Sequence, residues 1–239
     1  MDDRRQIVYF TRTTGTCNAP LLVVPYGGGQ ARVVDQSPGR HFYPTLDRSG
    51  HRLAYLSYSC EPGFDVVTVR DVRTGRARGI TVPSGNAELQ SMAWVQNRPV
   101  LAVVVWRLDL PEQPTELRLL DVRRSGSVLQ GRLVTPAAGC VFSQVARRGP
   151  RNELAAAEIC YVDGERFQRL VFVDPVAGAR GRVLATVPAD QGFVNSLDAD
   201  GSGRHLIYMA VSPTEGPGAY ALQGGTTRRL ATDVTFPTW

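Results

Sequence analysis

At 239 residues, with 43% apolar and 21% charged side chains, the chain can bury a full core, and wholesale disorder is excluded. Its longest apolar run, Pro99 to Trp106, is strand-sized, so no membrane-spanning helix is expected within the chain. The formal charge of +5, with all 27 basic residues arginine, reads as a coding bias; it permits an anionic partner, and no nucleic acid is expected.

Taken in chain order, period-two apolar segments recur between Gly, Asp and Pro turns, and no segment keeps a helical period for long. The words Ile7-Val8-Tyr9-Phe10, Leu53-Ala54-Tyr55-Leu56, Leu101-Ala102-Val103-Val104, Leu154-Ala155-Ala156-Ala157 and Leu206-Ile207-Tyr208-Met209 start 46, 48, 53 and 52 positions apart. That period, with several strands per unit, predicts propeller blades. Each word is strand b of a blade. A strand c follows, as in "DVVTVRDV" and "RLVFVDPV", then a glycine-bearing turn and a strand d such as "ARGITV". The prediction is an all-β, five-bladed β-propeller of four-stranded antiparallel blades forming a single domain, residues 1–239. The blades fall at about 1–36 plus 234–239, 40–84, 87–136, 140–188 and 192–233.

The first blade lacks an upstream strand a, and "VTFPTW" at the C-terminus repeats "HFYPTL" at 41–46, the strand a of blade 2. Leu46 lies seven residues before Leu53, and Met1 to Gln6 give the same spacing from Trp239 to Ile7. The expected closure is therefore the C-terminal strand pairing with the N-terminal blade, which removes an open sheet edge. Trp239 is then expected between blades, like Trp94. A strand a ending in Pro-x-Trp, an Asp/Ser/Gly turn and an apolar strand with an aromatic, best seen in "YPTLDRSGHRLAY", resembles the WD40-like (PD40) repeats of the TolB-like propellers. The resemblance spans the chain and implies a fold; it says little about activity.

In such a propeller the b-to-c and d-to-a loops share one rim, here called upper. The b-to-c loops are the long ones, and long loops on a rigid frame are where binding tends to sit. They carry Glu61, Asp65, Asp109, Glu112, Asp163, Glu165 and Glu215. Short lower turns carry arginines, among them Arg48, Arg73, Arg76, Arg123, Arg124, Arg180, Arg228 and Arg229. Candidate contacts for a protein, peptide or glycan are Tyr58, Trp106, Asp109, Tyr161 and Arg166, chosen as aromatic and charged groups on or beside the long loops. The arginine-rich rim suits an anionic membrane surface, and the protein is expected as a monomer.

Four cysteines occur without Cys-x-x-Cys spacing, which argues against zinc. Cys140 opens strand a of blade 4 and Cys160 ends its strand b, so a bridge between them is expected, and Cys17 with Cys60 on the same rim. Such bridges imply an extracytoplasmic, envelope or secreted protein, with an N-terminal membrane tether outside this chain. The alternative is a cytosolic scaffold with four reduced thiols. His41, His51 and His205 have no evident partners. "DADGSG" at 198–203 lacks a carboxylate at its twelfth position, Met209, so no calcium loop is expected there. No nucleophile elbow, phosphate loop or zinc helix appears; no catalytic residue, cofactor or metal is assigned. A bacterial sensory or recognition domain is the leading expectation. A carbohydrate-active enzyme is the alternative, with Glu88 and Asp190 as the carboxylates near the channel.

Overall fold

The computed structural model describes residues 7–11, 17–25, 27–59, 65–95, 98–112, 114–148, 153–199, 205–212 and 214–232. Five antiparallel sheets form the blades of a propeller. Blade 1 holds β1 (Ile7–Thr11), β3 (Leu21–Pro25) and β4 (Arg32–Asp35), while the two-residue β2 (Asn18–Ala19) lies parallel to the edge of blade 2. Blade 2 is β5 (Gly39–Leu46), β6 (Arg52–Tyr58), β7 (Asp65–Asp71) and β8 (Ala77–Val82). Blade 3 is β9 (Ala87–Trp94), β10 (Val100–Arg107), β11 (Thr115–Asp121) and β12 (Arg132–Val134). Blade 4 is β13 (Cys140–Arg148), β14 (Glu153–Val162), β15 (Glu165–Asp174) and β16 (Ala179–Val187), and blade 5 is β17 (Phe193–Ala199), β18 (His205–Ser212), β19 (Gly216–Gln223) and β20 (Thr226–Thr232). The first strands β5, β9, β13 and β17 touch in succession and form the inner wall. The expected closing strand, with Trp239, and the "DADGSG" turn from Asp200 onward lie outside the described residues.

The Asp/Ser/Gly word is legible as physics. Asp47, nearly buried, accepts from the Arg52 and His51 N–H groups and the Ser49 hydroxyl, and it pairs with the Arg52 guanidinium at 3.0 Å. One carboxylate thus satisfies the donors of a turn that no strand ladder could serve.

The apolar core lies between blades. Successive clusters join Leu21 to Tyr55, Ile80 to Trp94, Leu117 to Phe142, and Leu170 to Tyr208. Burial of each large side chain stabilises by roughly 1.5–3 kcal/mol. Each of the four successive interfaces from blade 1 to blade 5 also has a polar clasp. The Tyr55 hydroxyl donates to Asp35, and the Trp94 indole N–H donates to the Thr45 carbonyl under the Arg52 guanidinium. Ser91 bonds both the N–H and the carbonyl of Val145, and the Val194 N–H donates to Gln168 Oε1 at 2.7 Å. Because a buried donor or acceptor left unmade costs about 1–3 kcal/mol, these clasps fix blade register where apolar packing alone would allow sliding.

Two histidine and arginine expectations change. His41 is fully buried: its Nδ1 lies 3.3 Å from the Ser57 hydroxyl, its Nε2 lies 3.9 Å from Asp35, and its ring meets Tyr55 edge-on. Serine, histidine and aspartate here resemble a nucleophilic triad in type. The Ser57 hydroxyl also contacts Thr68, however, and the carboxylate stands beyond hydrogen-bond distance of the ring; the group braces blade 1 against blade 2. Arg180 and Arg229, expected on the lower rim, turn their guanidinium groups elsewhere: Arg180 to the fully buried Glu158, and Arg229 up to Glu215. Their long side chains follow the nearest carboxylates.

Candidate functional site

The strands of the inner wall each carry an extra residue. In blade 3 Gln90 is inserted between the pairs Leu89–Val105 and Ser91–Val104. In blade 4 Ser143 stands between Phe142–Glu158 and Gln144–Ala157, and in blade 5 Asn195 between Val194–Ala210 and Ser196–Met209. Blade 2 has the same irregularity at Tyr43 and Pro44, with Tyr43 at a φ of 53°. A bulge re-aims the side chain it carries and bends the strand. Here the polar residues Gln90, Ser143 and Asn195 of blades 3, 4 and 5 come to line one cleft.

Where blades 3, 4 and 5 meet on the upper rim, these residues line a cleft of about 360 Å³. Gln90, Ser143, Gln144 and Asn195 form its inner wall, and Trp106, Thr115, Ile159, Arg166, Gln168, Phe193 and Val194 complete it. That volume is near the lower end of the range for small-molecule sites. Trp106 and Thr115 face each other at the tops of β10 and β11, and Tyr161 and Arg166 do so on β14 and β15. The Arg166 guanidinium lies 3.7 Å over the Phe193 ring and 5.5 Å from the Tyr161 ring. Gly192 makes this approach feasible. Its φ is +76°, and a Cβ there would lie 1.8 Å from the Val211 carbonyl oxygen, so a side chain would displace the start of β17 and Phe193 with it.

Of the residues expected from the sequence, Trp106 and Arg166 line the cleft and Tyr161 stacks on Arg166. Asp109 does not line it: Arg107 grips it through two hydrogen bonds of 2.7 Å and also pairs with Glu116, which pairs in turn with Arg118. The Arg107 guanidinium holds the Asp109 carboxyl below its ordinary range despite some loss of hydration. Tyr58 stands in blade 2, exposed, with its ring edge toward Phe42. The sequence reading missed Phe193, Gln168 and the bulge residues.

Among the lining residues Arg166 is the one charged side chain. Glu88 is exposed and not in the lining; its charge, after burial, helps to raise the Tyr43 hydroxyl and the Asp65 carboxyl on the blade 2 side. Asp190 is exposed in the helical turn Ala189–Gln191.

The cysteines are bridged as expected at Cys140–Cys160, which are direct cross-strand partners. Cys17 is also in a disulfide, and its expected partner Cys60 lies outside the described residues. Cys140, Cys160 and Glu158 form the one group among the described residues with metal-ligand proximity. Their atoms are already committed: the sulfurs to each other, and the Glu158 carboxylate to Arg169 and Arg180 at 3.3 and 3.2 Å. This is a neutralised buried charge rather than a ligand set.

No family model matches the chain, and neither does any curated protein. Solved structures do match. TolB from Acinetobacter baumannii superimposes with a TM-score of 0.66 at 14% identity, covering 97% of this chain and 54% of that one. The fold is that of the TolB-like propellers. This chain spans about half the length of the TolB chain that it matches (54%). The same TolB-like ring is similar to a chain of a nidogen/laminin complex, with a TM-score of 0.63 at 13% identity over 93% of this chain and 74% of that one. It is also similar to an oligogalacturonate lyase solved in complex with manganese, with a TM-score of 0.58 at 14% identity over 100% and 77%. At such identities the likeness concerns the TolB-like fold, and the chemistry of the cleft has to be read from its own residues.

Proposed function

We propose that this TolB-like propeller is a noncatalytic recognition or sensory domain, the extracytoplasmic part of a bacterial envelope protein. It binds a protein, peptide or glycan at the upper rim through the cleft of Trp106, Arg166 and Phe193, with Tyr161 beside it. The observation that carries this reading is the lining itself: amides, aromatics, a hydroxyl pair and one cation, with no carboxylate or histidine among the described residues. Hydrolysis of a glycoside needs two facing carboxylates, and an acid–base mechanism of any kind needs a titrating group in reach. The lining supplies surface and hydrogen bonds, which are the means of recognition. The disulfides support an oxidising compartment. The lower rim, with Arg73, Arg76, Arg123 and Arg124 exposed, is then the side turned toward an anionic membrane surface.

The test uses peptide and glycan arrays probed with labelled wild type, Trp106→Ala and Arg76→Glu. Features shared by wild type and Arg76→Glu, and weakened about tenfold or more by Trp106→Ala, are the expected result. An absence of Trp106-dependent features, or chemical conversion of a bound glycan, overturns the reading and favours the carbohydrate-active alternative that the oligogalacturonate lyase likeness suggests.

A further inference from the structure

The floor of the cleft holds a polar group that the fold leaves unfinished. Gln168 is 3% exposed. Its Oε1 is identified by the bond it accepts, because the Val194 backbone N–H needs an acceptor. The amide nitrogen Nε2 must then point the other way; it is closed off from solvent and has no hydrogen-bond partner among the described residues. A buried amide donor left unmade costs about 1–3 kcal/mol, and the blade clasp at Oε1 forbids it from turning to find another acceptor. Above it, Arg166 is equally uncommitted. Its guanidinium carbon lies 3.7 Å over the Phe193 ring and 5.5 Å from the Tyr161 ring, and among the described residues no carboxylate or carbonyl accepts from it. A guanidinium stacked on an aromatic face keeps its edge N–H groups available, and that edge is the fork that fits a carboxylate through two parallel hydrogen bonds.

From these two vacant donors we infer that the cleft is a carboxylate-binding subsite. Arg166 takes the charge, Trp106 and Phe193 cover the group attached to it, and Gln168 Nε2, sealed from solvent as the cleft stands, donates to one oxygen once the side chains above it part. The charge count selects this class. One cation, amides and the Thr115 and Ser143 hydroxyls, with no carboxylate among the described lining residues, match a planar monoanion; the Ser143 hydroxyl donates to the Ala157 carbonyl, so it is not one of the donors the anion uses. The carboxylate can belong to a small organic acid or to the C-terminus of a partner peptide; both present the same two oxygens. The inference rests on the recognition reading above and narrows it from a surface to a chemical group.

Isothermal titration calorimetry on the full chain at constant ionic strength tests it with three probes: 3-phenylpropionate, acetyl-Gly-Gly-Phe as the free acid, and acetyl-Gly-Gly-Phe amide. At least one acid is expected to bind saturably with a dissociation constant on the order of 1 mM, and its amide or neutral counterpart at least about tenfold more weakly. Arg166→Gln, at an exposed position, should weaken the acid about tenfold. Gln168→Glu keeps an oxygen for the Val194 N–H while removing the donor, and should weaken it at least as much; circular dichroism checks its fold. Binding of the small acid alone, or of the peptide acid alone, names the source. Failure of both acids to bind, equal binding of acid and amide, or an unchanged affinity in Arg166→Gln overturns the inference. Array features that depend on Trp106 and survive such a failure would leave the recognition reading standing without the carboxylate.

Discussion

His41 shows how a single residue can serve structure at a cost that pH reveals. Burial pushes its imidazole below the ordinary histidine value, against the upward pull of Asp35. The folded state therefore binds a proton less readily than the unfolded one, and stability is fully present above the ordinary histidine value near 6.5 and is lost as pH falls below it. One titrating group limits the slope to about 1.4 kcal/mol per pH unit. Asp35 is shifted downward too: burial opposes this, but the Ser37 and Tyr55 hydroxyls prevail. Its contribution is lost only in the acid range below its ordinary value of 3.8, so the two windows separate. Thermal midpoints at pH 7.5 and 5.5 should fall on acidification in the wild type and fall less in His41→Asn. Equal falls would assign the effect to other groups. Nothing in the local sequence announces this residue, because its partners come from strands β4 and β6 and the turn between does not reveal their register. Glu158 is similar: a carboxylate in an alanine-rich strand becomes tolerable only when β15 and β16 bring Arg169 and Arg180 to it.

The strand words were readable because period-two patterning and the Asp47 turn are local, and β6, β10, β14 and β18 all carry them. The cross-strand Cys140–Cys160 pair was readable for the same reason, as the hairpin length places them opposite each other. Trp106 and Arg166 were found by residue type and loop position. The bulges at Gln90, Ser143 and Asn195 were not, since an extra residue is defined by the partner strand and leaves no mark in its own. Gln168 and Phe193 joined the site through blade-to-blade packing between residues far apart in the chain. At this scale Gly192 is the informative position. Its φ of 76° and ψ of −141° belong to a region that essentially only glycine occupies, costing another residue about 1–3 kcal/mol before the contact with the Val211 carbonyl is counted. Gly192→Ala should lower the thermal midpoint by several degrees and weaken any Arg166-dependent acid binding, because Phe193 would shift from under the guanidinium. A midpoint and affinity matching the wild type would show that the start of β17 can relax without moving the cleft.

Across the whole molecule, the packing of one blade on the next means that local loosening spreads, and the disulfide acts on the unfolded chain as a whole. Cys140 and Cys160 are 20 residues apart in sequence, and closing such a loop in the denatured ensemble removes entropy equivalent to about 3 kcal/mol. For a chain of this size, about 2–4 °C per kcal/mol translates this into a fall of roughly 6–12 °C in thermal midpoint for Cys140→Ala/Cys160→Ala. Both sulfurs are buried, Cys160 completely, so lost packing adds to that fall, and the double variant is a cleaner probe than a reductant that cannot reach the bond. Thiol titration of the native protein should find Cys140 and Cys160 unreactive. Reactive thiols at these positions in protein purified from its native compartment, or a double variant that melts within a degree of the wild type, would remove the structural argument for export, since a bridge that contributes nothing gives no reason for the chain to fold where bridges form.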